Sequence, residues 1–254
     1  MGAALPLPPF FRLIHLDRVD STSDEARRLA GMGADEGTLV WADEQTGGHG
    51  RLGRTWISPP GNLYVSLLLR PAETASQSVQ LTFVTAVALA EVIAGVLPAP
   101  RRVGCKWPND VLIDGRKVSG ILLESQSSAD RALETLVIGV GVNIGSHPPA
   151  EAVMYPATSL HAEGAEGEEP GALLQRFCVS FLRWYEVWRR QGFEPIQHAW
   201  LDRAEKLHHP VEVRLDASVI RGTFVGLDAT GAMLLREGGR SRVILAGDVF
   251  PGTT

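Results

Sequence analysis

Cys105-Lys106-Trp107-Pro108-Asn109-Asp110-Val111-Leu112-Ile113-Asp114-Gly115-Arg116-Lys117-Val118-Ser119-Gly120-Ile121-Leu122-Leu123-Glu124 reads as a β-hairpin. Two apolar, β-prone runs flank Asp114-Gly115, a dipeptide that readily takes the positive φ angles of a two-residue turn. A turn closed there sets Ile113 opposite Arg116, Leu112 opposite Lys117 and Asp110 opposite Ser119. Asp110 and Lys117 then share one face as diagonal neighbours, near enough for both to reach one small ligand. The plainer reading is a surface ion pair on an ordinary hairpin, which contributes little. Lys106 and the rigid Trp107-Pro108 entry favour a site, because Pro108 excludes a helix and holds a lysine and an aspartate at the strand mouth.

Upstream of the hairpin, a short apolar strand around Phe11–Leu16 precedes Ser21-Thr22-Ser23-Asp24-Glu25, where Thr22 and Glu25 form a capping box for a helix ending near Gly31 or Gly33. Ser21 and Thr22 serve as caps, yet a helix start with free hydroxyls and amides can also receive a polar ligand group. Thr38–Ala42 reads as a buried strand leading to Asp43-Glu44-Gln45 and a glycine-rich run, Thr46-Gly47-Gly48-His49-Gly50-Arg51-Leu52-Gly53-Arg54-Thr55-Trp56. Gly48, Gly50 and Gly53 match the G-x-G-x-x-G spacing of a dinucleotide fold, with Glu73 near the expected acidic position. That match fails, because the fingerprint must open a helix and Ile57-Ser58-Pro59-Pro60-Gly61 cannot. What remains is a flexible loop carrying Arg51 and Arg54, suited either to closing over an anion or to lying solvated at the surface. Asn62–Arg70 forms a strand, and Leu81–Leu97, apolar nearly all round, a buried helix.

Downstream, Thr135–Gly145 is a strand whose glycines admit either a ligand or a tightly packed neighbour, with Asn143 offering a donor and an acceptor. An acidic loop, Glu163–Glu169, leads to a helix from Pro170 to about Arg190, and its aromatic stripe at helical spacing is assigned to the core. Beyond Pro210 the pattern becomes short strands at Val211–Leu215, Val219–Leu227, Ala232–Arg236 and Arg242–Leu245. This separate β module shows no catalytic cluster and suits packing or partner recognition.

Composition narrows the function classes. The 254 residues, 44% of them hydrophobic, suffice for a sizeable core in one large or two modest soluble domains. A net charge of -5 argues against a nucleic-acid-binding face as the main business and leaves room only for a local basic cluster. Only two cysteines, Cys105 and Cys178, and scattered histidines leave neither a disulfide framework nor metal-ligand spacing, so a reducing cytoplasm is expected. The N-terminal run through Pro9 lacks the basic and apolar regions of a signal peptide, and no segment has the length and apolarity of a membrane span.

Taken together the chain resembles the biotin protein ligases (biotin–acetyl-CoA-carboxylase ligases). The resemblance is carried by Ser21-Thr22-Ser23, by the loop from Gly48 to Trp56 with Ser58-Pro59, by Lys106-Trp107-Pro108-Asn109-Asp110, by Lys117-Val118-Ser119-Gly120-Ile121-Leu122 and by Gly139-Val140-Gly141-Val142-Asn143. These occur in the family's order over nearly the whole chain, and the lysine-containing pair of motifs is highly specific. The resemblance implies an α+β fold: a mixed sheet with flanking helices, like the catalytic domain of class II aminoacyl-tRNA synthetases, over residues 1–208, and a small SH3-like β-barrel over 209–254. It implies two reactions, in which biotin and MgATP give biotinyl-5′-AMP and pyrophosphate, and a lysine of the biotin carboxyl carrier protein then takes the biotinyl group. A cytoplasmic enzyme, homodimeric as is common in the family, is the corresponding expectation.

The resemblance also implies roles for residues. Lys117 would hold the biotin carboxylate beside the α-phosphate with Arg51 closing over it, because two anions must be brought together and cations offset their repulsion. Ser21, Thr22 and Gln45 would read biotin's ureido ring, while Gly48, Gly120 and Gly139 would line its apolar part. On the ATP side would stand Arg54, Lys106, Trp56, Asn109, Asp110 and Asn143, with Asp110 the acidic group nearest magnesium on the phosphates. His49, on the biotin side, occupies a position where the family commonly has Arg, which removes a fixed cation there. The segment before Ser21 is too short for the helix-turn-helix domain of some relatives, so a ligase that does not repress transcription is expected. The rival within the fold is a lipoate ligase, whose R-R-x-S-G-G-G-x-V-Y-H-D pattern is missing; the rival from another class is a biotin sensor without turnover, against which Lys117, Arg51 and Asp110 all argue.

Overall fold

Backbone groups of β1 (Arg12–Val19) find their partners in β2 (Thr38–Gln45), which runs parallel to it. A parallel neighbour requires a crossover, and α1 (Thr22–Gly31) supplies it. In this computed structural model, which describes residues 5–70, 75–98, 100–127, 133–215 and 218–252, the chain continues through β3 (Leu63–Leu69), α2 (Ala75–Ser78), α3 (Gln80–Val96), β4 (Val103–Lys106), β5 (Asp110–Ile113), β6 (Arg116–Ser127) and β7 (Leu133–Val142). The seven strands form one mixed sheet in the order β1-β2-β3-β7-β6-β5-β4, and every pair but β1·β2 is antiparallel. Glu73 and Met1–Ala4 lie outside the described residues.

The two faces of this sheet are covered unequally. On one face α3 and α4 (Pro170–Gln191) bury the main core, with Leu81, Phe83 and Leu89 of α3 and the predicted stripe of Phe177, Phe181, Tyr185 and Trp188 of α4 all buried. Truncating one such side chain to Ala costs about 2–5 kcal/mol, so the face is a rigid floor. On the other face α1 covers only a small cluster, Ala26, Ala30, Val40, Leu68 and Val137. The remainder of that face is open, and the glycines of β6 and β7 lie there.

A helix absent from the sequence reading, α5 (Glu194–Leu201), begins with Pro195 in its first turn and buries Ile196 and Trp200. The C-terminal module is a five-stranded antiparallel sheet, β8 (Pro210–Arg214), β9 (Val219–Leu227), β10 (Met233–Glu237), β11 (Arg240–Ile244) and β12 (Asp248–Pro251), in the order β11-β10-β9-β8-β12. β12 was not anticipated; it is short and ends in Pro, which an edge strand tolerates. The turn before β10 docks on the larger unit: Trp107 Nε1 donates to Gly231 O at 3.0 Å, and Gly231 lies so close to Phe83 that a Cβ there would sit 2.5 Å from its ring. No helix among the described residues is long and apolar enough to cross a membrane.

Two local expectations are corrected. The cap of α1 is Ser21, whose Oγ accepts from Asp24 N–H at 3.4 Å, and not a Thr22–Glu25 box. Thr22 Oγ1 instead meets Gln45 and Ser66 because α1 packs on β3, while the Glu25 carboxylate accepts from Arg28 Nε at 2.7 Å. In the hairpin, Ile113 faces Arg116 and Leu112 faces Lys117 as expected, but Asp110 faces Gly120, not Ser119. A β-bulge beside Val118 inserts the extra residue. The bulge turns Val118 and Ile121 both to the core and leaves Lys117 and Gly120 on the open face, despite their odd spacing.

Candidate active site

A cavity of about 530 Å³, in the size range of small-molecule sites, occupies the open face between the N-terminus of α1, the glycine-rich loop and the C-terminal sheet. Of the residues singled out from sequence, all but Gly48 line it. A Cβ on Gly48 would meet Trp56 O at 2.6 Å and Ser58 Oγ at 2.7 Å, so this glycine permits the loop to fold on itself.

At the α1 end the chain assembles buried hydroxyls and one amide. Gln45 Oε1 accepts from Thr22 N–H at 2.8 Å and from Thr22 Oγ1 at 3.0 Å, and Gln45 Nε2 donates to Ser58 Oγ at 3.0 Å. Ser66 Oγ lies 2.8 Å from Thr22 Oγ1 and 3.0 Å from Ser23 Oγ. Hydroxyls and amides that are fixed yet neutral suit recognition of a neutral polar group rather than of a charge. The floor beside them has almost no side chains: Cβ atoms built on Gly120 and Gly141 would come 2.9 Å and 2.5 Å from the Trp56 ring, which rests on it. The buried Trp56 N–H has no partner.

At the other end the hairpin concentrates charge. Lys106 Nζ lies 2.8 Å from Asp110 Oδ2 and Lys117 Nζ 2.6 Å from Oδ1, the second pair lacking hydrogen-bond alignment. Burial alone would raise the Asp110 carboxyl, but the two ammonium groups outweigh it and hold it well below the usual carboxylate range. Asp110 is therefore an anion at neutral pH and not a proton donor there. Tyr155, absent from the sequence reading, stacks under Lys106 with Nζ 4.7 Å from the ring centre; burial first, then Glu205 and Asp110, push its hydroxyl up, so it stays neutral. Asn143 is buried and turned inward, Nδ2 donating to Thr158 O at 3.0 Å.

The loop arginines reach across to the C-terminal sheet. Arg51 Nη1 donates to Asn109 Oδ1 at 3.1 Å and Nη2 to Gly247 O at 3.3 Å, while Arg54 pairs with Asp248. Asp248 and Phe250 both line the cavity, so the β module, which has no catalytic cluster of its own in sequence, supplies part of one wall. Nothing in the local sequence links them to the loop; folding alone brings them there. His49 Nε2 is 2.8 Å from Asp24 Oδ2, so this residue holds the loop to α1. Among the described residues no three His, Cys, Asp or Glu side chains come together as a metal cage, and both Asp110 oxygens already face ammonium groups, so the donors fit a cation carried by phosphates rather than one held by protein alone.

With this geometry in hand, comparison with known proteins is specific. Residues 16–143 match the biotin/lipoate A/B protein ligase family, and residues 209–252 match the biotin protein ligase C terminal domain. The chain is 40% identical over 240 residues to a biotin--[acetyl-CoA-carboxylase] ligase of Paracoccus denitrificans, spanning 93% of this chain and 99% of that one. The biotin protein ligase from Aquifex aeolicus in complex with biotin and ATP superposes with a TM-score of 0.79 at 30% identity, covering 94% of this chain and 97% of that chain. The biotin protein ligase from Leishmania major in complex with biotinyl-5-AMP superposes at 0.67 with 26% identity, covering 94% of this chain and 100% of that chain.

Proposed function

Because this chain belongs to the biotin/lipoate A/B protein ligase family and carries the C-terminal domain of the biotin protein ligases, we propose that it activates biotin with ATP as biotinyl-5′-AMP and transfers the biotinyl group to a lysine of a biotin carboxyl carrier protein. The observation that carries this reading is the pair of ammonium groups, Lys106 and Lys117, on either side of one carboxylate in a cavity whose far end is lined with neutral hydroxyls and an amide. The ureido ring suits Ser21, Thr22 and Gln45, and the apolar part of biotin suits the floor at Gly120 and Gly139. The carboxylate then points toward Lys117.

In the first reaction a biotin carboxylate oxygen attacks the α-phosphorus and pyrophosphate leaves. Lys117 exchanges Asp110 for the incoming carboxylate, so the two anions meet beside fixed cations. Lys106 and Arg54 serve the phosphates and Arg51 closes over the reacting group, with Trp56, Asn109 and Asn143 on the nucleotide side. Asp110 is the acidic group that would help hold magnesium on the phosphates, where the ion would neutralise phosphate charge. In the second reaction the carrier's lysine amine attacks the mixed anhydride carbonyl, AMP leaves and the amide nitrogen loses its proton. Cys105 is fully buried outside the cavity lining, and burial pushes its thiol up to about 12, so it is not a candidate nucleophile.

The same reading carries a domain boundary at 208/209, a cytoplasmic location and a homodimer; the free, buried Cys105 and Cys178 support the reducing compartment. Pyrophosphate release from MgATP, measured with biotin and with lipoate separately and followed by addition of a carrier domain, tests the function. Release with biotin alone and labelling of one carrier lysine are expected. Release with lipoate alone would place the chain with the lipoate ligases, and biotin binding without release would make it a sensor.

A further inference from the structure

We propose that Glu163, in the acidic loop that the reaction leaves unused, is a positioning residue that fixes the main chain of Lys117. The inference takes its catalytic meaning from the role given to Lys117 above, but its geometric part stands alone. β7 ends at Val142, which pairs with Ser119, so the outward N–H and C=O of Lys117 have no strand beside them. Such groups must be satisfied, and residues 156–158 do it: Lys117 N–H donates to Pro156 O at 2.7 Å and Thr158 N–H donates to Lys117 O at 2.9 Å. This strap has no strand of its own to hold it. Thr158 is anchored from behind, its hydroxyl donating to Glu163 Oε1 and its carbonyl accepting from Asn143 Nδ2.

Glu163 is in turn tied to the hairpin that bears Lys117. Its side chain is 1% exposed, and Arg116 Nη2 lies 2.7 Å from Oε1. Arg101 Nη2 lies 3.9 Å from Oε2 while Arg101 Nη1 holds Asp114 Oδ2, in the hairpin turn, at 3.1 Å. One carboxylate thus joins the strap to the turn, and Lys117, next to Arg116, is held between them. Arg116 and Arg101 are each nearly half exposed, so losing Glu163 leaves cations that water can solvate and the fold survives. Glu168 is the natural control. It is buried in the same loop, but its carboxylate pairs with Arg176 of α4 rather than with the hairpin or with residues 156–158.

The test uses the full chain with Glu163→Ala, Glu163→Gln and Glu168→Gln. Amide hydrogen exchange at Lys117 and Thr158 reads the positioning without any substrate, and is expected to accelerate about tenfold or more in Glu163→Ala with the Ile138 amide unchanged. Glu163→Gln, which keeps an acceptor for Thr158, should fall between, and Glu168→Gln should match the wild type. In biotin-dependent pyrophosphate release, Glu163→Ala should lower kcat about tenfold and raise the KM for biotin, with the folded fraction unaltered. Equal exchange in Glu163→Ala and wild type, or an equal effect of Glu168→Gln, would overturn the proposal. Absence of biotin-dependent release in the wild type would instead count against the ligase reading, and the exchange result would still decide the role of Glu163.

Discussion

The cavity is served by two sets of cations built on opposite plans. Lys106 and Lys117 belong to β4 and β6 of one three-strand meander, share one buried aspartate on β5 between them, and are fixed by ladder pairing within a few residues of sequence. Arg51 and Arg54 sit on a loop that turns through Leu52 and Gly53 at φ 57° and 71°, and, besides the Arg51 bond to Asn109, their anchors, Gly247 and Asp248, come from the far end of the chain. The first set is stiff before any ligand arrives. The second depends on a contact between two separately built sheets, and a group held in that way can be released and recaptured during a reaction cycle.

The largest expected effect tests the stiff set. Lys117→Ala should cut biotin-dependent pyrophosphate release by about 10²–10³-fold, the usual loss for one preorganised charge at a reacting centre. Arg54→Ala should cost clearly less, and equal losses would erase the distinction. Next, Arg51→Gly should leave adenylate formation in place but let the intermediate escape, seen as biotinylation of bystander lysines; an unchanged range of labelled proteins would sink this. A third test concerns acid. Asp110 is ionised more readily folded than unfolded, so the unfolded chain binds more protons as pH falls. Its contribution is present above the unfolded value of about 3.9 and is lost as pH drops below it. The denaturant midpoint of wild type should therefore fall between pH 6 and pH 3 more steeply than that of Asp110→Asn. The smallest effect is on the movable set: Asp248→Asn should change stability by less than about 1 kcal/mol, as for other rim pairs, while proteolysis between residues 47 and 54 becomes faster. Unchanged cleavage would mean that the C-terminal sheet does not restrain the loop.

The same contrast explains what the sequence disclosed. Asp110 and Lys117 could be placed on one face from alternation and one Asp-Gly turn, and Lys106 at the strand mouth from the Trp107-Pro108 entry, because both signals are local. The one-residue difference at Asp110 lies at the bulge beside Val118, whose flanking residues Ser119 and Lys117 pair with β7 and with the 156–158 strap, both distant in sequence. Thr22 was read as a cap for the same reason: the partners that claim its hydroxyl, Gln45 and Ser66, belong to other strands. Asp248, Phe250 and Tyr155 carried no local signal and became visible only when β12 and the strap were folded against the loop. The helices α3 and α4 were legible because their apolar patterns are long.

Glycines 120, 139 and 141 form a floor from which nothing can be removed. Substitution there can only add atoms: the new Cβ would come 2.9 Å from Trp56 at 120, 2.8 Å from Ser23 Oγ at 139 and 2.5 Å from Trp56 at 141. The depth of the chamber is thus already at its maximum. Tailoring this protein to a bulkier acid than biotin has to gain its room from the walls, where Ile57 and Met154 still have side chains to shorten.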